Sequence, residues 1–333
     1  MLVPLESVFP LTNANPSPSG DRNRARSAGT LAGMDLYLGL DIGTTAVKAL
    51  ACDADGRVLA EAERQYGYST PRPGWVEQDA ENWWRLSREC VREVVSRVGR
   101  HILDRPPCPN DVAGPGCAGP RVAAVAVSTQ GDTIVPLDAA GQPLAPAITW
   151  MDSRTPRQVA RMEREGDLWF RLTGSSPAPF AAATSILWWR EEAPEVFRCT
   201  RRFALVADFV IGRLTGRPLL DAPNASRTLA YDITRRAWAP ELLERLGLAA
   251  GQLAETAESG TVAGPVRPEV AADWGLSPDT QVVLGGHDQT CAAVGCGVTR
   301  PGALMLSCGT AWVVLAATER PLFDETHSVQ GYC

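Results

Sequence analysis

Lysine is almost missing from this chain. Of 32 basic side chains in 333 residues, all but Lys48 are arginine. Lys48 is followed by alanine, so the phosphate-binding pattern Gly-x-x-x-x-Gly-Lys-Ser/Thr cannot be written anywhere. No run of 18 apolar residues exists, so no bilayer span is indicated. The nine cysteines are odd in number and include no Cys-x-x-Cys, which points to reduced thiols and a cytoplasmic protein rather than a disulfide scaffold. His287, Cys291 and Cys296 fit no common zinc spacing, and cysteine among Ala, Val and Gly is usually a small buried hydrophobe. The net charge of −6 leaves no basic field for nucleic acid. Residues 114–119, "GPGCAG", match Gly-x-Gly-x-x-Gly in letters only, because a strand pattern follows where a helix is required.

What is present reads as mixed α/β. Residues 1–33 are polar, rich in Pro, Ser and Asn, and are expected to be a disordered extension, with Met34 as an alternative start. From Tyr37 the pattern alternates: Leu38, Leu40 and Ile42 face one way, Gly39 and Asp41 the other. Gly43-Thr44-Thr45 is a tight turn, Ala46–Cys52 a second strand, "DADG" a second turn and Val58–Tyr66 a third strand. Asp79 is placed to cap a helix running to about Val98, with Trp83, Leu86, Cys90, Val94 and Val98 on its buried face. "RVAAVAVS" predicts a buried strand, "TIVPLD" and "AITW" a further pair, and helices dominate from Ser153 to about Leu248. "TQVVLGG" returns to a strand, and "HDQTCAAVGCGV" leads into a helix. The length is sufficient for one large domain or two ordinary ones.

Four stretches have the composition of a site. "DIGTTAVK" puts Gly and two Thr in a hairpin turn, a concavity of N–H groups suited to phosphate, with Asp41 as a hard oxygen ligand for Mg²⁺ and Lys48 in the adjacent strand. An ordinary Gly-Thr hairpin would look the same. The hairpin has an echo: Leu38, Leu40, Gly43, Thr44 and Val47 recur as Leu304, Leu306, Gly309, Thr310 and Val313. Two such hairpins could pinch a nucleotide's phosphates. In "GGHDQT", Asp288 opens a helix at a strand end, as a general base or as a simple N-cap. After two neighbouring strands, "STQGD" and "TWMDSR" offer Gln130, Asp132 and Asp152 as hydrogen-bonding groups for a polyhydroxylated ligand, with Trp150 to stack on it. Turn residues and a core tryptophan are the plainer alternative.

Together these stretches resemble the FGGY family of carbohydrate kinases. "LGLDIGTTAVKALACDADGRV", "RPGWVEQDAENWW", "ITWMDSRT", "PNASRTLAYDITRRAW", "GGHDQTCAAVGCGV" and "LSCGTA" follow in family order, over about residues 37–333. The resemblance implies an α/β, actin-like ATPase fold of two ribonuclease-H-like domains, with a sugar cleft between them. It implies ATP and Mg²⁺, and a sugar or polyol as phosphoryl acceptor. Asp41 matches the magnesium-linked aspartate. Gly43, Thr44 and Thr45 match the first phosphate loop, with Lys48 beside it, and Gly309 and Thr310 match the second. Asp288 matches the catalytic base, and Gln130, Asp132, Trp150, Phe180 and Gln289 match positions that line the sugar.

The departures concern the acceptor. Gly131 stands where glycerol kinases have arginine and xylulokinases methionine. Asp132 stands where xylulokinases have histidine, and Ser185 where many members have lysine. A roomier, acidic pocket argues for a ketopentose, pentitol or tetritol. The expected organisation is an extension at 1–33, a sugar-binding domain at 34–295 and the beginning of a nucleotide-binding domain at 296–333, incomplete because full members continue through an adenosine-binding segment, so that the chain as given is expected to be inactive or impaired. A non-catalytic sugar-binding or regulatory remnant of such a kinase stays open as the alternative, and so does a homodimer. An actin-like ATPase of the chaperone class fits "GWVEQDAENWW" and "NASRT" poorly.

Overall fold

The computed structural model describes residues 35–103, 121–249, 251–308, 312–324, 326–331 and 333. The expected extension at 1–33, the "GPGCAG" stretch, and Gly309 and Thr310 of the second phosphate loop lie outside the described residues.

The alternation seen in the sequence is realised as an antiparallel meander of β1 (Asp35–Ile42), β2 (Ala46–Cys52) and β3 (Val58–Gln65). Leu36, Leu38, Leu40 and Ile42 of β1 and Val47, Ala49 and Ala51 of β2 are buried, as the two-residue period of a strand requires. After β4 (Glu77–Gln78), the Asp79 carboxylate accepts the Glu81 N–H at 3.0 Å and starts α1 (Ala80–Leu103). Trp83, Leu86, Cys90, Val94 and Val98 are all buried along α1, which lies against β2 and β3.

β5 (Arg121–Thr129) runs parallel to β1. The chain then builds a second region: β6 (Ile134–Leu137), β7 (Ala147–Ile148), α2 (Pro156–Glu163), α3 (Leu168–Thr173), α4 (Ala182–Glu192), α5 (Pro194–Cys199), β8 (Arg202–Leu205), α6 (Val206–Thr215), β9 (Leu219–Asp221), α7 (Ala222–Arg227), β10 (Tyr231–Asp232), β11 (Ala237–Trp238) and α8 (Pro240–Leu246). Helices dominate this region as expected, with the short strands β8 to β11 set between them. "RFAL" of β8 is a short run, apolar after Arg202, whose pairing with β6 decides its state; periodicity cannot separate such a run from a piece of helix.

β12 (Glu255–Ala257), β13 (Val262–Pro265) and α9 (Pro268–Trp274) lead to β14 (Gln281–His287), which returns to the first sheet parallel to β5. The six-stranded order is β13-β14-β5-β1-β2-β3. One core lies between this sheet and α1, α6 and α9. A second surrounds the smaller β4-β7-β6-β8 sheet, with Trp169, Ile186, Trp189 and Phe203 buried inside it. Residues 130–133 join β5 to β6 and so cross from one core to the other. α10 (Asp288–Gly295) follows β14, and the echo hairpin is β15 (Leu304–Cys308) and β16 (Trp312–Ala316). Leu304, Leu306, Trp312 and Val314 are exposed on one face of that hairpin.

Candidate functional site

Three parallel strands end side by side. Register places Asp41 of β1 beside Ser128 of β5, and Ser128 beside Gly286 of β14. Crevices at the carboxyl ends of parallel strands are where α/β sheets present ligand-binding groups. The Ser128 hydroxyl donates to Asp41 Oδ1 at 2.9 Å. Burial raises the Asp41 carboxyl above its ordinary range, against the Ser128 hydrogen bond and the Lys48 charge. Lys48 is the cross-strand partner of Asp41 but lies on the open sheet face, with its ammonium 3.9 Å from Glu63. Asp41, Lys48, Ser128, Gly285 and Cys291 line a cavity of about 720 Å³ on that face.

The Gly43-Thr44-Thr45 turn is held by its carbonyls. The Tyr66 hydroxyl donates to the Gly43 carbonyl, Gln78 Nε2 to the Thr44 carbonyl at 2.7 Å, and the Tyr66 N–H to the Thr45 carbonyl at 2.9 Å. The Gly43 N–H closes the turn on the Ala46 carbonyl, so it is not part of an anion cradle as the sequence suggested. The N–H groups of Thr44 and Thr45 have no acceptor among the described residues. Carbonyls tied inward and amides left outward are the polarity that an anion requires.

Asp288 is placed by a defect in the sheet. Pairing between β14 and β5 shifts register between Leu284 and Gly286. A Cβ on Gly285 would lie 2.2 Å from the Val127 carbonyl oxygen, so only glycine allows this approach. The bulge aims His287 and Asp288 past the sheet edge at the start of α10. The Asp288 carboxyl is pushed up to about 6, mainly by burial; the Gln289 N–H and Arg227 oppose the shift, while Asp41 and Asp132 add to it. A carboxylate poised near neutrality in a polar crevice is suited to proton abstraction. His287 Nε2 lies 3.3 Å from Asp288 Oδ1, and burial with the nearby Arg227 charge holds the imidazole down to about 3, hence neutral.

The expected acceptor residues separate into two groups. Gln130 and Asp132 are buried beside the strand ends, and Gln289 is in the first turn of α10. Gln130 Oε1, Asp132 Oδ1 and Gln289 Oε1 accept no hydrogen bond among the described residues. Buried acceptors left without donors are costly, at about 1–3 kcal/mol each, and hydroxyl groups suit them. Trp150 is 40% exposed, and its Nε1 donates to Thr44 Oγ1 at 2.8 Å. Phe180 lies 5.6 Å from the Arg227 guanidinium. Asp152 is different. Its buried carboxylate accepts from the Val76 N–H at 2.6 Å, the Arg154 N–H at 2.8 Å and Arg154 Nη2 at 2.7 Å. Arg154 in turn stacks 3.8 Å over Trp75. The assignment of Asp152 to the ligand therefore gives way to a structural clamp.

Two further groups belong to the site. Asp221 caps α7 by accepting the Asn224 N–H at 2.8 Å, and Asn224 Nδ2 reaches Thr129 Oγ1 at 3.3 Å. α7 thereby delivers Arg227, whose Nε and Nη2 both donate to Asp132 Oδ2, at 3.1 and 2.9 Å. One arginine among 31 carries no signal by its letter alone. Gln78 accepts from Trp83 Nε1 at 3.1 Å and from Gln130 Nε2 at 2.9 Å while donating to Thr44, so it joins the turn to the acceptor group. The expected roominess at Gly131 also needs correction: the His287 ring occupies that space, and the Asp132 charge is matched by Arg227.

A profile of the N-terminal domain of the FGGY family of carbohydrate kinases matches residues 36–295. Xylulose kinase of Escherichia coli K12 is 31% identical over 298 residues, 90% of this chain and 57% of that protein. Glycerol kinase of Thermococcus onnurineus is 29% identical over 291 residues, 86% of this chain and 55% of its own. The crystal structure of xylulose kinase from Rhodospirillum rubrum superposes with a TM-score of 0.79 at 26% identity, covering 87% of this chain and 56% of that one. The chain thus spans a little over half the length of the relatives that it matches, and its fold is that of the actin-like ATPases.

Proposed function

Because this chain belongs to the FGGY family of carbohydrate kinases, we propose that it carries the acceptor site and the catalytic base for ATP-dependent phosphorylation of a sugar or polyol hydroxyl. The acceptor is a short, neutral, polyhydroxylated molecule such as a ketopentose, pentitol or tetritol. What supports this most is the set of three buried acceptor atoms, Gln130 Oε1, Asp132 Oδ1 and Gln289 Oε1, beside a carboxyl raised to about 6. They match a ligand that brings several O–H donors and one hydroxyl to be deprotonated.

In this reading Asp288 takes the proton of the attacking hydroxyl as its oxygen bonds to the γ-phosphorus and the bond to the β-phosphate oxygen breaks, releasing ADP. General-base help of this kind contributes about 10²–10⁴ in rate, and the rest is positioning and charge neutralisation. The outward amides of Thr44 and Thr45 are set to cradle phosphate oxygens, with Gly309 and Thr310 as the expected counterpart. Asp41 is the residue that would hold Mg²⁺: its carboxyl is half-buried, raised by desolvation and therefore receptive to a cation. Magnesium bound there would supply neutralisation of phosphate charge. Residues 34–295 form the acceptor-binding domain in this account, and 296–333 open the nucleotide-binding one.

The test is ADP release with ATP, Mg²⁺ and a neutral ketopentose, for the wild type and Asp288→Asn in a form of the protein that carries the complete nucleotide-binding domain. Acceptor-dependent release that falls at least about 10²-fold in the variant, with acceptor binding kept, is expected. Equal release from both would remove Asp288 from the chemistry.

A further inference from the structure

Gly131 and His287 contend for one volume. A Cβ built on Gly131 would lie 2.5 Å from His287 Cδ2 and 2.8 Å from Nε2, closer than side-chain carbons ever come. No residue larger than glycine fits at 131 while the imidazole stays where it is. The two positions face each other because β14 pairs with β5, His287 opposite Thr129, and the chain then turns at Gln130-Gly131. That turn is sharp. The Thr133 N–H bonds the Gly131 carbonyl at 2.7 Å, and Asp132 takes the left-handed conformation with φ +60°. It swings the Asp132 carboxylate onto Arg227 and leaves the Gly131 Cα turned toward the ring.

The imidazole therefore stands beside the Asp288 carboxylate and against the turn that carries Asp132. It is bonded in sequence to Asp288, with Nε2 3.3 Å from that base, and it touches the residue that precedes Asp132. A core histidine would be enclosed by apolar side chains; this one has Gly131, Asp288 and the Arg227 charge around it.

Building on the acceptor-site reading above, we propose that His287 is a specificity-determining residue: its imidazole replaces a side chain at position 131 as the wall of the acceptor pocket between Asp132 and Asp288, and so limits the pocket to short, neutral polyols. The ring sets the depth available beyond the hydroxyl that meets Asp288. An acceptor one carbon longer meets the ring, and one carrying a carboxylate meets the like charges of Asp132 and Asp288.

Calorimetric titration of the full chain with erythritol, xylitol and sorbitol tests this, using wild type, His287→Gly, Gly131→Ala and the double variant. The wild type is expected to prefer the four- and five-carbon polyols. His287→Gly shifts the sorbitol-to-erythritol affinity ratio by about tenfold or more toward sorbitol, the scale of one methylene in a fitted pocket. Gly131→Ala, which pushes the ring out of place, weakens all three ligands, and adding His287→Gly restores binding with the relaxed profile. Two results overturn the assignment: a ratio within threefold of wild type in His287→Gly, or a Gly131→Ala loss that His287→Gly does not relieve. A wild type that binds none of the three overturns the acceptor-site reading itself, a distinct outcome from binding with an unchanged ratio.

Discussion

The indole Nε1 of Trp150 donates to Thr44 Oγ1 at 2.8 Å, joining a residue of the acceptor side to the phosphate turn across 106 positions of sequence. Gln78 makes a second connection, from the Thr44 carbonyl to Gln130. The turn is thus braced from the side where the acceptor is expected, so the proposed phosphate and acceptor positions share one set of hydrogen bonds. Trp150→Phe removes the N–H and keeps a ring. The amides of Gly43 and Tyr66, bonded to the Ala46 and Thr45 carbonyls, should then exchange with deuterium about 3–10-fold faster, the scale of one hydrogen bond. Unchanged exchange would show that the bond does not hold the turn.

In the proposed reaction, Asp288 sets the pH dependence. Its carboxyl is raised to about 6 from an ordinary 3.8, so the base form is lost as pH falls through 6 rather than through 4. The acidic limb of kcat/KM for ADP release should have its midpoint near pH 6. The same shift means that folding favours the protonated group, so its contribution to stability declines as pH rises from about 4 to 6. An acidic limb near pH 4 would contradict the buried environment described for this group.

Asp152 should behave as a structural residue. Its pair with Arg154 is buried on both sides, and Arg154 also reaches Glu77 at 2.9 Å. Removing Asp152 leaves the guanidinium with Glu77 alone and the Val76 N–H without its acceptor, where breaking a buried pair costs up to about 3–5 kcal/mol. Asp152→Ala should lower the unfolding midpoint sharply, while acceptor affinity, measured well below that midpoint, stays within about threefold of wild type. A tenfold loss of affinity without a change in midpoint would return Asp152 to the ligand site.

Asp208 offers a test of burial alone, away from the chemistry. Its Oδ1 accepts the Leu205 N–H at 2.7 Å, while Oδ2 has no hydrogen bond and lies 3.7 Å from Arg202. Burial pushes the carboxyl up to about 7, opposed by Arg202. The folded state therefore holds a proton between about pH 4 and 7 that the unfolded chain releases, and stability falls across that window. Asp208→Asn keeps the acceptor for Leu205 and removes the charge. Its unfolding midpoint should exceed that of wild type at pH 8, with the difference shrinking at pH 5. An equal difference at both values would mean that the charge is not the cause.

The sequence showed those parts of the site that depend on local pattern. Alternation from Tyr37 to Ile42 placed Asp41 at a strand end, and a strand closing in Gly285-Gly286 placed Asp288 at a helix start, as found. What stayed hidden depends on partners distant in sequence. Arg227 is brought to Asp132 by a capped six-residue helix, and nothing in "NASR" indicates where its guanidinium goes. Gln78 is one letter of a recognisable segment, yet its role comes from Thr44, Trp83 and Gln130. Asp152 follows a strand-end tryptophan just as a ligand-binding carboxylate would, and only Arg154 and the Val76 N–H show that it points inward. Gly131 looked like added room because its occupant, His287, comes 156 residues later.

The central claim is that Gln130, Asp132 and Gln289 hold the hydroxyls of a neutral acceptor beside Asp288. Calorimetric titration of D-xylulose into the wild-type chain and into Gln130→Met tests it most directly. Methionine keeps the buried volume and removes the Oε1 acceptor. Saturable binding by the wild type, weakened about tenfold or more in Gln130→Met, is the predicted result. No binding by the wild type, or equal binding by both, would contradict the account.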